Sequence, residues 1–277
     1  MTGLLAIALL TAAAPAPARG ASIAPTASVA DSPAVRLDLE GLKARLAAAG
    51  DSLPDLSNVD LSGLDLSGID FKRANLTGAR FLKSTMTGVN LFSCDLTDAV
   101  MTGADLQRAN LDGTVLRRAH LDQANLQGAS LFATIIEAAD LSGANLSGTR
   151  IIGYLRSAKL MGADLRNTNA GADPGNQSMG VMRATFVGAD LTGADLTGAN
   201  LFKADFSHAT LSGARLNGAN LNNAELVQTD LTKADVTGAK VSKADLNEAD
   251  FSGAIGVAQL QGLDDARNKD KAIFDAK

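Results

Sequence analysis

The amino-acid sequence predicts an all-β solenoid, and two observations carry that prediction. Over residues 184–251 a small residue, an Asp or Asn, a Leu or Phe and two variable residues recur every five positions. The same pattern begins near Pro54. This period matches neither the helical repeat of about 3.6 residues nor the strand repeat of about 2. A sequence that repeats at a fixed period builds one structural unit per repeat, and stacked units share one core.

Each five-residue unit is expected to be a short extended segment followed by a corner. The apolar residue, here named the centre, and the small residue two positions earlier point to one side, while the Asp or Asn between them, the outward residue, points to the other. The last two residues, the corner residues, are rich in Gly, Ser and Thr, which favour turns. A single unit cannot bury its centre, whereas stacked coils can. Examples of centres are Leu56, Leu61, Leu66, Phe71, Leu76, Phe81, Met86, Leu91, Leu96 and Met101.

This pattern closely resembles the A-(D/N)-L-x-x signature of pentapeptide-repeat proteins. The resemblance implies a right-handed quadrilateral β-helix, in which four units, about 20 residues, make one coil and about nine to ten coils are stacked. It also implies short helical caps at the ends. In this family outward Asp side chains commonly accept hydrogen bonds from corner amides. We expect that role for the first acidic run, which consists of Asp55, Asp60, Asp65 and Asp70.

The segments before the repeat differ in composition from it. Residues 1–20 are predicted to be a signal peptide, because an apolar run at residues 4–10 precedes small residues at Ala16 and Ala18. A disordered tail rich in Ala and Pro is the alternative. Residues 21–36 are predicted to be a flexible linker. Residues 37–53 are predicted to hold a capping helix that ends near Gly50 and covers the first coil.

The repeat is predicted to span residues 54–255, and residues 256–277 to form a C-terminal cap and tail. After Ile151 the centres fall one residue early, and the original phase resumes after a predicted turn. A loop is therefore expected at residues 171–180. In this family such loops often carry partner contacts, and an insertion without function is the alternative. The turn residues that form the candidate site are Asp173, Pro174, Gly175 and Asn176.

A candidate partner patch lies on one side of the predicted solenoid. With coils of about 20 residues, Phe92, Phe132 and Ile152 fall on one face, each directly after a centre, and Tyr154 lies nearby. Exposed apolar patches of this kind can mark partner sites. Partial burial of these side chains under Tyr154 or under the loop is the alternative.

The sequence contains no catalytic, cofactor-binding or metal-binding motif. His120 is an outward residue, His208 is a corner residue, and their spacing does not fit a metal pair. Cys94 occupies a small position and is expected to point inward, and a single Cys cannot form an internal disulfide. We therefore expect no enzyme activity, no cofactor and no metal.

The remaining function class is binding. A formal net charge of -5 without a stripe of Lys or Arg disfavours direct nucleic-acid binding. The apolar run near the N-terminus is too short to span a bilayer. The leading prediction is a non-enzymatic scaffold or protein-interaction module with an unidentified protein partner. This module is expected to be periplasmic or secreted, or cytoplasmic if the N-terminal segment is not a functional signal.

The resemblance implies an alternative function and one further partner. Certain pentapeptide-repeat proteins mimic B-form DNA, bind DNA gyrase or topoisomerase IV, and protect against quinolones. In some members the C-terminal end forms a two-fold dimer, so we also expect a homodimer through that end.

Overall fold

The computed structural model describes residues 34–172 and 182–275. The predicted signal peptide and most of the predicted linker lie outside the described residues. The same holds for the turn residues Asp173, Pro174, Gly175 and Asn176. In the part of the chain that is described, no helix is both long enough and apolar enough to cross a membrane.

The N-terminal end carries a helix, α1 (Leu39–Ala48), within the segment where the sequence predicts one. Asp38 caps the start of the helix, and its carboxylate accepts a hydrogen bond from the Gly41 N–H at 2.7 Å. Leu42 and Leu46 lie one turn apart on the same face and are buried in the solenoid core. Before the helix, β1 (Val35–Arg36) pairs in parallel with β2 (Val59–Asp60). The helix and β1 together cover part of the first coil and its backbone edge.

Backbone hydrogen bonds between coils define the solenoid. In the regular coils an outward residue bridges in parallel to the outward residue 20 positions later, as Asp105 does to Asn125. The N–H of the centre Leu106 donates to the carbonyl of Asn125 at 2.7 Å, and the N–H of Asn125 donates back to the carbonyl of Ala104 at 2.9 Å. The coil length that the resemblance implied is therefore observed. The hand of the winding and the total number of coils stay predictions.

Centres and small residues fill the interior, as the pattern predicts. In one typical unit the centre Leu126 and the small residue Ala124 are buried, whereas the corner residue Gln127 is exposed. Larger centres stack along the axis: the rings of Phe186 and Phe206, one coil apart, are parallel, with centroids 4.7 Å apart. Burial of a centre therefore depends on its neighbour in the next coil, which is the expected behaviour of a repeat protein.

Outward Asp and Asn side chains support the corners. The carboxylate of Asp65 accepts a hydrogen bond from the Ser67 N–H at 3.0 Å and from its hydroxyl at 2.6 Å. Asn75 supports its corner in the same way with its amide oxygen, so the negative charge is not required. The role predicted for the first acidic run is confirmed, since all four carboxylates accept the N–H two residues later, at 2.9–3.0 Å. These residues are Asp55, Asp60, Asp65 and Asp70.

One corner of the solenoid is a residue short. There β3 (Ser130–Ile135) and β4 (Arg150–Tyr154) pair in parallel, and the register shifts between Phe132 and Thr134. Gly153 occupies the small position, where a Cβ atom would overlap the Thr134 carbonyl group, so no larger side chain fits. The predicted change of phase after Ile151 is therefore confirmed.

The next coil contains an insertion. Asn169 bridges Asn200, which is 31 residues later, and the Asn200 side-chain amide donates to the Asn169 side-chain oxygen at 2.9 Å. The interval exceeds the usual 20 residues by 11, and most of the loop predicted at residues 171–180 lies outside the described residues. The coils on either side keep their parallel bridges across it.

The last coil changes from five-residue to six-residue steps. Its bridging residues Ile255, Gln261, Arg267 and Ile273 follow one another at intervals of six. Each step contains a short 3-10 turn, at Val257–Gln259, Leu263–Asp265 and Lys269–Lys271. The boundary at residue 255 therefore marks a change of step, and bridges to the preceding coil continue as far as Ile273.

Acid is expected to weaken the corners. The pKa values of three outward carboxyls lie below their ordinary value of 3.8, in each case mainly because of a hydrogen bond from the residue two positions later. These are Asp55, Asp65 and Asp235. A lowered folded-state pKa means that the stabilisation is complete above the unfolded pKa and is lost as the pH falls through the folded value. We expect the urea midpoint to be steady between about pH 7 and pH 5 and to fall below about pH 4.

The matched variant is Asp55→Asn with Asp65→Asn and Asp235→Asn. It keeps the accepting oxygens and removes three titrating groups, so its midpoint should be close to that of the parent at neutral pH and should fall less in acid. If the urea midpoint falls by the same amount in both proteins on acidification, these three carboxylates do not cause the loss of stability in acid.

Candidate interaction surfaces

The four residues of the predicted partner patch do not form one continuous surface. Phe92 and Tyr154 are exposed, at 47% and 52%, but Ile152 is buried, at 1%. Ile152 therefore drops out of the patch, because β4 continues through the shortened corner and turns this side chain into the interior. Phe132 is half-buried, and the guanidinium group of Arg150 lies 4.4 Å from the centroid of its ring.

Phe92 is also separated from Phe132 by a whole coil. The residue at the same position in the coil between them is Asp112. Its carboxylate accepts a hydrogen bond from the Phe132 N–H at 2.9 Å. A charged group thus stands between the two rings, and only Phe132 and Tyr154 of the original patch remain as a candidate partner surface.

The structure shows a different apolar surface, here named the apolar ladder (Val115, Ile135 and Tyr154). The three residues take the outward position in consecutive coils and bridge one to the next. Phe132 adjoins them, since it lies in the same strand as Ile135. The other outward residues of this face are polar or charged: Asp55, Asn75, Asp95, Thr185, Asp205, Glu225, Asp245 and Arg267. Sequence reasoning missed the ladder because the shortened corner places Tyr154 one residue out of phase.

The C-terminal end of the solenoid, here named the open end (residues 252–275), is less covered than the rest. None of its residues is fully buried. Val257, Leu260, Leu263 and Phe274 pack only partly against the core. In earlier coils, the residue that follows each bridging residue donates its backbone N–H to a carbonyl of the next coil. At the open end the corresponding groups of Gly256, Gly262 and Asn268 donate to no described residue.

Within residues 34–172 and 182–275 the His and Cys side chains do not cluster. His120 and His208 are both exposed and belong to different coils. Cys94 is buried as expected, and burial raises the pKa of its thiol to about 12, so the nucleophilic thiolate is suppressed. Among the residues that the structure describes, no group of three His, Cys, Asp or Glu side chains could hold a metal ion.

Comparisons with known proteins identify the repeat and several structural relatives. HetL from the cyanobacterium Nostoc sp. strain PCC 7120, described as involved in regulation of heterocyst differentiation, is 28% identical over 86% of this chain and 94% of its own, with a TM-score of 0.43. A trypsin-treated variant of QnrB1, described as a plasmid-mediated fluoroquinolone resistance protein, is 18% identical over 74% of this chain and 91% of its own, with a TM-score of 0.36. No curated protein matches the chain.

The family model for pentapeptide repeats matches in eight copies, at residues 55–91, 94–131, 109–151, 182–218 and 214–253. These matches cover more than half of the chain and coincide with the coils described above. The protein therefore belongs to the pentapeptide-repeat family.

Proposed function

We propose that this protein is a non-enzymatic β-helical scaffold that binds proteins, and that its open end is the binding surface. The observation that carries the proposal is the difference between the two ends. At the N-terminal end, α1 buries Leu42 and Leu46 in the core. At the open end the apolar side chains are only partly covered, and backbone donors are left for another chain. Such an edge favours pairing with a further β-segment.

A second copy of this chain is the partner that fits the open end best. The last coil carries charges of both signs, and Lys269 pairs with Asp264 at 2.7 Å. Opposite charges can therefore face each other across a two-fold axis without net repulsion. Val257, Leu260 and Leu263 would become buried in such a contact. The two-fold dimers formed through this end by some members of the family support the same arrangement.

We expect the purified protein to be a dimer by size-exclusion chromatography with light scattering. Leu260→Glu with Leu263→Glu should convert it to a folded monomer, because charges would be buried in the contact while no fully buried core residue changes. Met161→Glu is the control, since Met161 is 44% exposed on the side of the solenoid, and it should remain dimeric. A monomeric parent, or a dimer that persists in the Leu260→Glu and Leu263→Glu variant, would contradict the proposal.

We further propose that the scaffold acts outside the cytoplasm. The support is the sequence of residues 1–20, which combines a short apolar run with small residues at the expected cleavage positions. A reporter enzyme that is active only outside the cytoplasm tests this proposal when it is fused to the full chain and to a chain without residues 1–20. Activity that requires residues 1–20 is the expected result, and inactivity of both fusions would place the protein in the cytoplasm.

Mimicry of DNA receives less support from the surface. A DNA mimic must present a strongly negative surface, whereas several carboxylates here are paired with Arg or Lys side chains. Examples are the corner residue Asp98 with Arg118 and the outward residue Asp164 with Arg166, both at 2.6 Å. If the reporter fusions are inactive, DNA gyrase binding becomes the first alternative. Supercoiling that is unaffected by excess protein would remove it.

A further inference from the structure

We propose that a cleft on one corner of the C-terminal half binds a small polyvalent oxyanion, of the chemistry shared by phosphate esters and polycarboxylates. The cleft, here named the basic cleft, has a volume of about 400 Å³. It is lined by Arg183, Lys203, Asn223, Glu225, Lys243 and Arg267. This proposal goes beyond the scaffold function, and Arg267 is the one lining residue of the cleft that also belongs to the open end.

The repeat itself builds the floor of the basic cleft. Lys203, Asn223 and Lys243 are the second corner residues of three consecutive coils, with φ angles of 61°, 58° and 59°. Because coils are spaced by about 4.8 Å, the Cα atoms of the two lysines lie about 10 Å apart with Asn223 between them. Three polar side chains therefore leave the same corner in a row along the solenoid axis.

Two arginines form ion pairs with carboxylates that would otherwise repel an anion. Arg183 contacts Glu225 at 2.8 Å and Asp205 at 3.2 Å. Arg267 lies 3.7 Å from Asp245 and also donates from Nε to the carbonyl of Lys243 at 3.2 Å. The acidic groups around the cleft are thus already paired, and the arginines are held in place as its walls.

The two lysines are the available cations. Neither ammonium group has a carboxylate within ion-pair distance among the described residues. The Lys203 ammonium lies 5.3 Å from the centroid of the Phe202 ring, within cation–π distance. The side-chain amide of Asn223 also makes no hydrogen bond to a described residue, so its two N–H groups can donate to a ligand. On a chain of net charge -5 this is a local positive site, which attracts anions.

The dimensions of the basic cleft favour a small molecule over a polymer. Its volume falls within the range of about 300–1,000 Å³ that is typical of small-molecule sites and exceeds the size of a single phosphate. A ligand with two charged groups can contact both lysines at once. Two free cations are too few to follow the phosphates of a nucleic-acid strand. The cleft is not evident from the sequence, because its two lysines are 40 residues apart and its arginines come from irregular segments.

Titration calorimetry at low ionic strength tests the proposal, with pyrophosphate and citrate as probes of the full chain. The parent should bind at least one probe, and Lys203→Gly with Lys243→Gly should weaken that binding about tenfold or more, since two cations are removed. Glycine is chosen because it adopts positive φ without strain, so the variant should unfold at the same temperature as the parent or higher.

The control is Lys83→Gly with Lys233→Gly. These lysines are also second corner residues with positive φ, at 54° and 58°, but they lie on a different corner. The control loses the same charge and should bind within twofold of the parent. Tighter pyrophosphate binding would identify the phosphate-type ligand, and tighter citrate binding the polycarboxylate. The proposal fails if the parent binds neither probe, or if both double variants lose affinity equally.

Discussion

Each coil of the solenoid is joined to the next by backbone hydrogen bonds at four places, one on each face. Around Asp105, for example, bridges recur at Asn110, Val115 and His120 before the face is met again at Asn125. These bonds satisfy backbone groups that no single five-residue unit could satisfy by itself. They also bring each centre onto the centre of the next coil, so that hydrogen bonding and burial depend on the same 20-residue register.

Because the sides of the solenoid repeat, the features that distinguish this protein lie where the repeat changes. At the shortened corner Tyr154 pairs with Ile135 of the adjacent coil, so Tyr154 becomes the third residue of the apolar ladder. Arg183 follows the insertion, and its guanidinium group pairs with Asp205 and Glu225 beside the basic cleft. The last coil, with its six-residue steps, is less buried than the coils before it. The proposed binding surfaces therefore adjoin irregularities, while the regular coils hold them in position and supply Lys203 and Lys243 of the basic cleft.

The sequence predicts the interior well because the five-residue period fixes which residues point inward. Leu126, Ala124 and Cys94 are buried as expected, and Asp65 supports its corner as expected. The period alone predicts that the Ile152 side chain points outward, whereas it is buried. Its direction depends on the path of the backbone through the shortened corner, which the period does not determine. The six-residue step was missed although Gly256, Gly262 and Asn268 stand six apart, since the pattern of centres and small residues fades there.

Crosslinking tests most directly whether outward residues 20 positions apart are direct neighbours. Asn125→Cys with Asn145→Cys places two thiols on bridged residues whose side chains are in contact at 3.1 Å. This pair should form a disulfide under mild oxidation, because Cα atoms about 4.8 Å apart allow one. Asn125→Cys with Ile135→Cys is closer in sequence but on the opposite face, and it should not. The native Cys94 is buried and should not interfere. Failure of the first pair, or equal crosslinking of the second, would contradict the coil described here.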